Sequence, residues 1–347
     1  MSHRYRPVGW TPAKRAYDAV LAASIAGYLL LFIWLGPRLQ DPALALDPYS
    51  VAIRAQGSCA FLLLTLALAI GPLARLDQRF LPLLYNRRHL GVATFLVALS
   101  HALAVLDWHF SFSPTPALVA LLSSEPRGLA VPGLAFIPFG IVALSILLLL
   151  AATSHDFWLA FLTPKLWKAL HMLIYLAYAL VVAHVTFGYL QSAASPWFAL
   201  VVVAAVVLLA GLHLAAGVVQ ARAERPAQAA PTGWLMAARL DAIAEGRGIV
   251  VHPAGAEAVA IFRHQGRLSA VSNLCAHQNG PLGEGCVVDG VITCPWHGFQ
   301  YRLEDGCAPP PFTERIATYR LRVAGDRVLL DPRPNPPGTF VEPVAVS

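Results

Sequence analysis

Six apolar runs, each long enough to cross a lipid bilayer, occupy the first 219 residues of the chain. A hydrocarbon core about 30 Å thick takes roughly 20 helical residues, because each residue advances an α-helix by about 1.5 Å. The charged fraction of 13% and the mean hydropathy of +0.60 exclude an ordinary soluble protein. We therefore predict a six-helix membrane bundle in residues 1–219, with spans near 17–36, 51–72, 89–108, 131–152, 169–190 and 196–219.

Basic residues cluster on alternate connections of this bundle. They precede the first span (Arg4, Arg6, Lys14, Arg15), follow the second (Arg75, Arg79, Arg87, Arg88) and precede the fifth (Lys165, Lys168). Cytoplasmic loops carry an excess of Lys and Arg, so we predict a multi-pass protein of the bacterial inner membrane with both termini cytoplasmic. A net charge of +6 would suit nucleic acid, but the charges border apolar spans. The predicted partner is therefore membrane lipid, and no nucleic acid.

The sequence pattern changes after the sixth span. Residues 220–231 form a linker rich in alanine, proline and charge, and beyond it come short β-branched runs separated by Gly, Pro, Asn and Asp. This pattern predicts a small all-β domain over residues 232–335. A proline-rich tail, residues 336–347, follows it and is expected to be loosely ordered.

Two Cys/His pairs carry the chemistry of the all-β domain. The chain reads Cys275-Ala-His277 and, after sixteen residues, Cys294-Pro-Trp-His297. A Rieske centre needs two thiolates on one iron and two imidazoles on the other, so that each of two loops supplies one Cys and one His. Two Cys and two His also suit tetrahedral zinc. The Gly and Pro residues around both pairs, the β-rich surroundings and the Cys-x-His spacing favour the [2Fe-2S] cluster.

Both loops, CAHQNGPLGEG and CPWHGFQY, resemble those of the Rieske family. Members that oxidise quinol carry two further cysteines in a disulfide, and the matching positions here are Gly280 and Trp296. Phe299 stands where high-potential members have a serine, whereas Tyr301 is kept. The resemblance therefore implies a ferredoxin-like or oxygenase-like domain with a potential near the low end of the Rieske range, about −150 to +300 mV.

Four histidines fall within or at the edge of the predicted spans: His101, His171, His184 and His213. Ionisable groups in lipid are costly and are functional candidates by default, and imidazole is a common axial ligand of b-type haem. Counted from the cytoplasmic side, His101 and His184 are matched in depth, while His171 could meet His89 or His213. For His213 we expect a buried ring that is hydrogen-bonded to a neighbouring carbonyl.

Residues 87–108 and 166–190 resemble the third and fifth helices of the ferric reductase-like transmembrane family. The resemblance is to the haem-binding membrane subunit of the periplasmic methionine sulfoxide reductase system, with NADPH oxidases more distant. In the oxidases each of these helices carries two haem-ligating histidines, but here Arg87 stands at the place of one. The resemblance implies one haem b on His101 and His184, and leaves a second haem, at His171, open.

Taken together, a cytoplasmic cluster joined to a haem bundle predicts transmembrane electron transfer to a periplasmic acceptor or reductase. No Gly-rich dinucleotide fingerprint or flavin domain is recognisable, so a separate reductase or ferredoxin would be the donor. The chain is then an electron-transfer subunit more than a self-contained enzyme. Two alternatives stay open: a stand-alone oxidoreductase that reduces ferric chelate, quinone or oxygen at the outer haem, and a redox sensor.

Overall fold

The computed structural model divides the chain into two compact units, one of residues 10–216 and one that contains residues 217–347. It describes residues 12–39, 46–112, 136–154, 162, 164–188, 190, 197–223, 233–277, 280–295 and 298–346. The two units are described separately below.

The first unit is helical. Its helices are α1 (Pro12–Leu35), α2 (Pro48–Leu76), α3 (Leu81–Phe112), α4 (Ile137–Ala152), α5 (Pro164–His171), α6 (Leu173–Phe187) and α7 (Trp197–Ala223). Helix α2 shows why such an element starts where it does: Asp47 accepts a hydrogen bond from the Ser50 amide at 2.9 Å, and Pro48 occupies the first turn. A side-chain cap and a first-turn proline both satisfy or remove amides that no helical carbonyl can reach.

Five stretches in the described part of the chain are long and apolar enough to cross a membrane. They are Lys14–Arg38, Pro48–Leu76, Asn86–Asp107, Ala169–Phe187 and Trp197–Val219. At the place of the predicted fourth span the structure has the shorter apolar helix α4, and residues 131–135 lie outside the described ranges. The protein is thus a multi-pass membrane protein, and six spans stays a prediction.

Helix α2 packs along α3, and α4 packs along α6. One apolar core joins these pairs through side chains from α2, α4, α6 and α7, including Leu64, Leu147, Ala177 and Leu209. The Phe61 and Tyr178 rings stack across α2 and α6 with centroids 5.8 Å apart. Contacts of this kind hold helices together in lipid by close packing.

The second unit is built from eleven short strands. They are β1 (Leu235–Arg239), β2 (Gly248–Val251), β3 (Val259–His264), β4 (Arg267–Ser272), β5 (Cys286–Val288), β6 (Val291–Thr293), β7 (Gln300–Arg302), β8 (Thr318–Tyr319), β9 (Leu321–Ala324), β10 (Arg327–Leu330) and β11 (Val344–Ala345). Among them, β1-β10-β9, β11-β4-β3-β2 and β5-β6-β7 form three antiparallel sheets, and β8 pairs with β4.

Tight two-residue turns set the register of the hairpins. Asp289 and Gly290, between β5 and β6, both have positive φ, at 51° and 79°. Asp-Gly in this conformation is a favoured hairpin turn. Glycine adopts positive φ without steric cost, and the twist of such a turn matches the twist of the two strands that it joins. The turn pairs Cys286 with Thr293, so it fixes the strand that leads into Cys294.

The proline-rich tail is ordered, and the expectation of loose order is wrong. Strand β11 pairs Val344 with Leu268 of β4, and the Thr318 hydroxyl donates to the Thr339 carbonyl at 2.8 Å. Val341 donates its amide to the Glu304 carbonyl at 2.7 Å. Proline-rich composition argued against a strand, but two residues of edge pairing and a few backbone hydrogen bonds suffice to hold the segment.

Candidate functional site

Two membrane histidines lie against each other in the helical unit. The rings of His101 on α3 and His184 on α6 have centroids 6.4 Å apart, with an angle of 82° between their planes. Both side chains are partly buried. The structure therefore brings together the two residues that depth matching had paired, and their role as haem ligands stays a prediction.

A backbone carbonyl fixes each of these rings. His101 Nδ1 lies 3.0 Å from the Ile53 carbonyl, and His184 Nδ1 lies 3.0 Å from the Phe136 carbonyl. A carbonyl only accepts hydrogen bonds, so Nδ1 donates in both rings and the Nε2 lone pair is left to bind a metal. Metal-ligating histidines usually have such a partner, which sets the tautomer and the orientation of the ring.

Glycines make room for the same two rings. A Cβ atom on Gly57 of α2 would lie 3.1 Å from His101 Cε1, and one on Gly140 of α4 would lie 2.8 Å from His184 Nδ1. Gly57 comes one helical turn after Ile53, and Gly140 one turn after Phe136. Each histidine follows its carbonyl partner by 48 residues, so the two half-sites repeat the same construction.

The dimensions of this pair fit one metal ion between two imidazoles. Nitrogens about 2.0–2.1 Å from a metal, with ring centres roughly 1 Å further out, place the centroids about 6 Å apart. The observed separation agrees with this value. Two neutral imidazoles inside an apolar helix bundle are also the donor set that b-type haem uses.

The other membrane histidines have different neighbours. His213 Nδ1 donates to the Leu209 carbonyl at 2.9 Å and its Nε2 lies 3.0 Å from the Tyr175 hydroxyl, which makes it a hydrogen-bonded structural residue. His89 Nδ1 lies 2.6 Å from Asp18 Oδ1 on α1, a pairing that the sequence analysis missed. These hydrogen bonds join His89 and His213 to residues other than His171, which the sequence analysis had considered as their partner.

His171 stands apart from the paired histidines. Its ring stacks on Trp167 with centroids 3.8 Å apart, and its Nδ1 donates to the Trp167 carbonyl at 3.0 Å. Its Nε2 atom is buried and meets no hydrogen-bonding atom of the described residues. A buried nitrogen lone pair of this kind is a candidate ligand atom.

In the second unit, each of two loops begins with a buried cysteine and closes on itself in the same way. Cys275 donates its amide to the Gly280 carbonyl at 3.0 Å, and Cys294 donates its amide to the Phe299 carbonyl at 2.8 Å. Both cysteines are 1% exposed. Gly298, with φ of 73°, allows the second loop to turn back so sharply.

Tyr301 lies beneath both cysteines. Its hydroxyl is 3.4 Å from Cys275 Sγ and the residue is fully buried. Burial, followed by the charge of the neighbouring Cys275, raises the pKa of Tyr301, so the phenol keeps its proton and can donate to a thiolate. Hydrogen bonds to cluster sulfurs are among the features that set a cluster's potential.

An aromatic stack supports the first histidine of the motif. The rings of His277 and Phe299 are nearly parallel, at 6°, with centroids 4.9 Å apart, and Phe299 also contacts Phe312 at 5.1 Å. Phe299 is only 3% exposed. The large residue at this position therefore packs against His277 and fixes one face of its ring.

Three of the four expected cluster ligands lie in the described part of the chain. His297 lies outside it, and within the described residues no group of three or more His, Cys, Asp and Glu side chains forms a metal site by itself. The donor chemistry fits a [2Fe-2S] cluster, because two buried cysteines and one histidine come from two loops of matching closure.

No disulfide joins the two cluster loops. All five cysteines are described, and none forms a disulfide. Cys59 is buried in α2, while Cys286 and Cys307 are partly exposed. The cluster loops are therefore closed by backbone hydrogen bonds, in agreement with the absence of cysteine at Gly280 and Trp296.

Comparison with known proteins identifies both units. Residues 233–320 match the family description "Rieske [2Fe-2S] domain", and the chain is 33% identical over 101 residues to the ferredoxin component of the naphthalene 1,2-dioxygenase system of Pseudomonas aeruginosa, covering 28% of this chain and 94% of that protein. The chain belongs to the Rieske [2Fe-2S] family. Residues 56–182 match the "ferric reductase like transmembrane component".

Two further relatives of the Rieske domain are similar. The ferredoxin component of the alkene monooxygenase system of Xanthobacter autotrophicus is 34% identical over 87 residues, which cover 25% of this chain and 71% of that protein. Among solved structures, the ferredoxin of carbazole 1,9a-dioxygenase from Nocardioides aromaticivorans is 25% identical, with a TM-score of 0.27, and the match covers 29% of this chain and 98% of that one.

These matches support a [2Fe-2S] cluster in the Rieske domain and electron transfer as the general function of the chain. The ferric reductase-like match contains Gly57, His101 and Gly140 and ends two residues before His184. The sequence analysis missed both glycines and the carbonyl partners of the histidines. The signal that could have found them is the equal spacing of glycine and histidine in the two halves of the bundle.

Proposed function

We propose that this chain transfers electrons across the bacterial inner membrane, between a Rieske [2Fe-2S] cluster and haem b in the helix bundle. Cys275, His277, Cys294 and His297 would hold the cluster, and His101 with His184 would hold the haem. The observation that carries the proposal is the 6.4 Å separation of these two rings, each tied through Nδ1 to a backbone carbonyl.

The protein's own groups prepare these sites. A bound haem or cluster supplies one-electron redox chemistry that no amino-acid side chain offers at these positions. Ile53 and Phe136 orient the imidazoles through their carbonyls, Gly57 and Gly140 leave space for the rings, and the apolar helices exclude water. The Tyr301 hydroxyl lies 3.4 Å from Cys275 Sγ and would donate a hydrogen bond to it when the cysteine is a thiolate.

The electron donor would be a separate cytoplasmic reductase or ferredoxin, and the acceptor a periplasmic protein such as a reductase. The ferredoxin components similar to the Rieske domain belong to systems of several proteins by name, which favours an electron-transfer subunit over a self-contained enzyme. Basic residues on alternate connections support cytoplasmic termini, and hence a cytoplasmic cluster.

His171 is the candidate ligand of a second haem. Its buried Nε2 supports this assignment, and the second ligand of such a haem stays open. The proposal therefore separates the two sites: loss of His171 leaves the haem of His101 and His184 in place.

Haem and iron content of the purified protein test the proposal. We expect low-temperature EPR of a reduced Rieske centre, which Cys275→Ser abolishes, and a haem stoichiometry that His101→Ala and His184→Ala lower by one. His213→Ala is the matched control, because its ring is held by Tyr175 and Leu209 away from the pair. Bound zinc in place of iron, or full haem content in His184→Ala, contradicts the assignment.

The orientation of the protein in the membrane is tested separately. Protease added to right-side-out cells should leave the Rieske domain intact, while protease added to inverted vesicles should release it from the membrane. Cleavage from the outside would place the cluster in the periplasm and overturn the proposed topology. A redox titration of the same protein then gives the order of the potentials, and so the direction in which electrons flow.

A further inference from the structure

A groove of about 460 Å³ opens on the Rieske domain, at the sheet formed by β1, β10 and β9. Its lining includes Trp234, Arg320, Arg322, Arg333, Phe340 and Glu342. The residues that hold the cluster lie in other loops, between β4 and β7. The proposed electron transfer therefore gives this groove no role.

Positive charge prevails in this groove. Of its two carboxylates, Asp331 is paired with Arg333, whose Nη2 lies 2.9 Å from Asp331 Oδ2. The guanidinium of Arg322 lies 4.3 Å above the Trp234 ring, where the ring holds it in place and its N–H groups remain able to donate. Arg320 is exposed beside it. Three guanidinium groups, of Arg320, Arg322 and Arg333, and two carboxylates, of Asp331 and Glu342, line the groove, so its lining carries one net positive charge and suits an anion.

Two large apolar side chains are exposed in this region: Phe340, which lines the groove, and Met236, on strand β1. Phe340 is 65% exposed and Met236 is 43% exposed. The strand register places Met236 opposite Leu329, and Leu329 opposite Arg322, so these side chains form one row across the sheet. Exposed aromatic residues next to arginine are the composition of surfaces that lie at the membrane–water interface.

Only a short length of chain separates helix α7 from the groove. Helix α7 ends at Ala223, and Trp234 follows eleven residues later. Even a fully extended segment of that length spans only about 40 Å, at roughly 3.3–3.6 Å per residue. The length of the linker therefore limits how far Trp234 can lie from the end of α7. Anionic lipids make the cytoplasmic surface of a membrane negatively charged, and the proposed topology puts the Rieske domain on that side.

We propose that this groove binds the phosphate of an anionic lipid headgroup, and that the β1-β10-β9 face of the Rieske domain docks on the membrane. Arg320 and Arg322 bind the phosphate, while Phe340 and Trp234 enter the interface beside it. This docking does not depend on which donor or acceptor the chain serves.

Arginine labelling of the full-length protein in nanodiscs tests this surface. An arginine-selective dicarbonyl reagent, read by mass spectrometry, should modify Arg320 and Arg322 more slowly in phosphatidylglycerol nanodiscs than in phosphatidylcholine nanodiscs. Arg267, an exposed residue of β4, is the internal reference and should be modified equally in both. In Phe340→Ala we expect the protection of Arg322 to fall about fivefold, the equivalent of one interfacial contact worth about 1 kcal/mol.

The outcomes separate the sources of the effect. Equal labelling of Arg322 in both lipids overturns the proposal. Protection by inorganic phosphate in detergent, at the level seen with the lipid, assigns the groove to free phosphate and overturns the docking. Loss of the protection of Arg320 in Arg322→Glu, with unchanged labelling of Arg267, supports the proposal. An unchanged Rieske EPR signal in each variant shows that the domain is folded, and tests the cluster assignment separately.

Discussion

A Cβ atom placed on Gly140 would lie 2.8 Å from Nδ1 of His184, closer than side chains approach in folded proteins. Gly140→Ala must therefore push the imidazole away from the Phe136 carbonyl that orients it. We expect haem affinity to fall about 10-fold or more, the usual cost of disturbing a partner of a metal-ligating histidine. Haem content per protein after purification measures the loss.

Two other glycines serve as comparisons for this prediction, because an added Cβ atom would meet less or nothing there. Gly57→Ala would approach the His101 ring at 3.1 Å and should have a smaller effect, whereas Gly71→Ala meets no atom within 4 Å and should have none. If Gly140→Ala and Gly71→Ala retain equal amounts of haem, the fit of the two rings around one iron is wrong.

Removing the hydroxyl of Tyr301 should lower the potential of the cluster. Tyr301→Phe keeps the buried ring and deletes the hydrogen bond to Cys275 Sγ. Since hydrogen bonds to charged groups are worth about 1.5–3 kcal/mol, and part of this differs between redox states, we expect a shift of several tens of mV. A potentiometric EPR titration measures the shift.

The matched control for Tyr301 is Tyr319→Phe. Tyr319 is also buried, at 2% exposure, but belongs to the other apolar core of the domain. An equal shift in both variants would assign the effect to general loss of a polar group and not to the cluster sulfur.

Helices α1 and α3 are joined by Asp18 and His89. The pair is partly buried, and Asp18 Oδ2 makes no hydrogen bond to the described residues. His89→Ala leaves this carboxylate without its main partner, so we expect a loss of roughly 1–3 kcal/mol in stability, less than for a fully buried pair. Thermal unfolding of the purified protein measures it, and haem content should be unchanged.

The double variant distinguishes charge from packing at this place. Asp18→Asn combined with His89→Ala removes the unpaired charge and should recover part of the lost stability. A double variant less stable than both single variants would show that the helices depend on side-chain volume here and not on the ion pair.

The Arg333 guanidinium beside Asp331 holds the pKa of that carboxyl below its usual value. A lowered pKa in the folded state contributes stability above the pKa of the unfolded chain, and this contribution is lost as the pH falls through the folded-state pKa. Arg333→Ala should therefore move acid unfolding of the Rieske domain to higher pH. The loss of the Rieske EPR signal against pH reports it.

An exposed pair offers the control for this pH effect. Arg239 pairs with Asp241, but both side chains are more than half exposed, so solvent screens the interaction. Arg239→Ala should leave the acid midpoint nearly unchanged. A shift as large as that of Arg333→Ala would trace the effect to net charge.

Periodicity and motif spacing predicted both domains of the chain, together with the short strands and the two Cys/His loops of the β domain. The predicted linker began too early, because helix α7 continues to Ala223 through residues that are mostly good helix formers, and residues 224–231 lie outside the described ranges. Strand β2, at Gly248–Val251, lies in one of the short β-branched runs that follow the linker, and β-branched residues favour extended backbone. Depth counting also paired His101 with His184, since rise per residue is constant in a helix.

Other features depend on contacts between distant segments, which a single sequence does not encode locally. Nothing near His89 indicates that Asp18, 71 residues away, would be its partner. The loose order predicted for the tail is wrong for the same reason. Its proline content disfavours a strand, but Val344 pairs with Leu268, far upstream in the sequence. Of the predicted fourth span, helix α4 accounts for Ile137–Ala152, and residues 131–135 lie outside the described ranges.

The repeated spacing of carbonyl, glycine and histidine has a consequence for how the bundle is organised. The α2–α3 pair supplies Ile53, Gly57 and His101, and the second pair, α4 with α6, supplies Phe136, Gly140 and His184 at the same intervals. Each pair of helices thus orients one imidazole by the same local means. A haem held between His101 and His184 would therefore lose half of its protein ligands if either pair of helices were displaced.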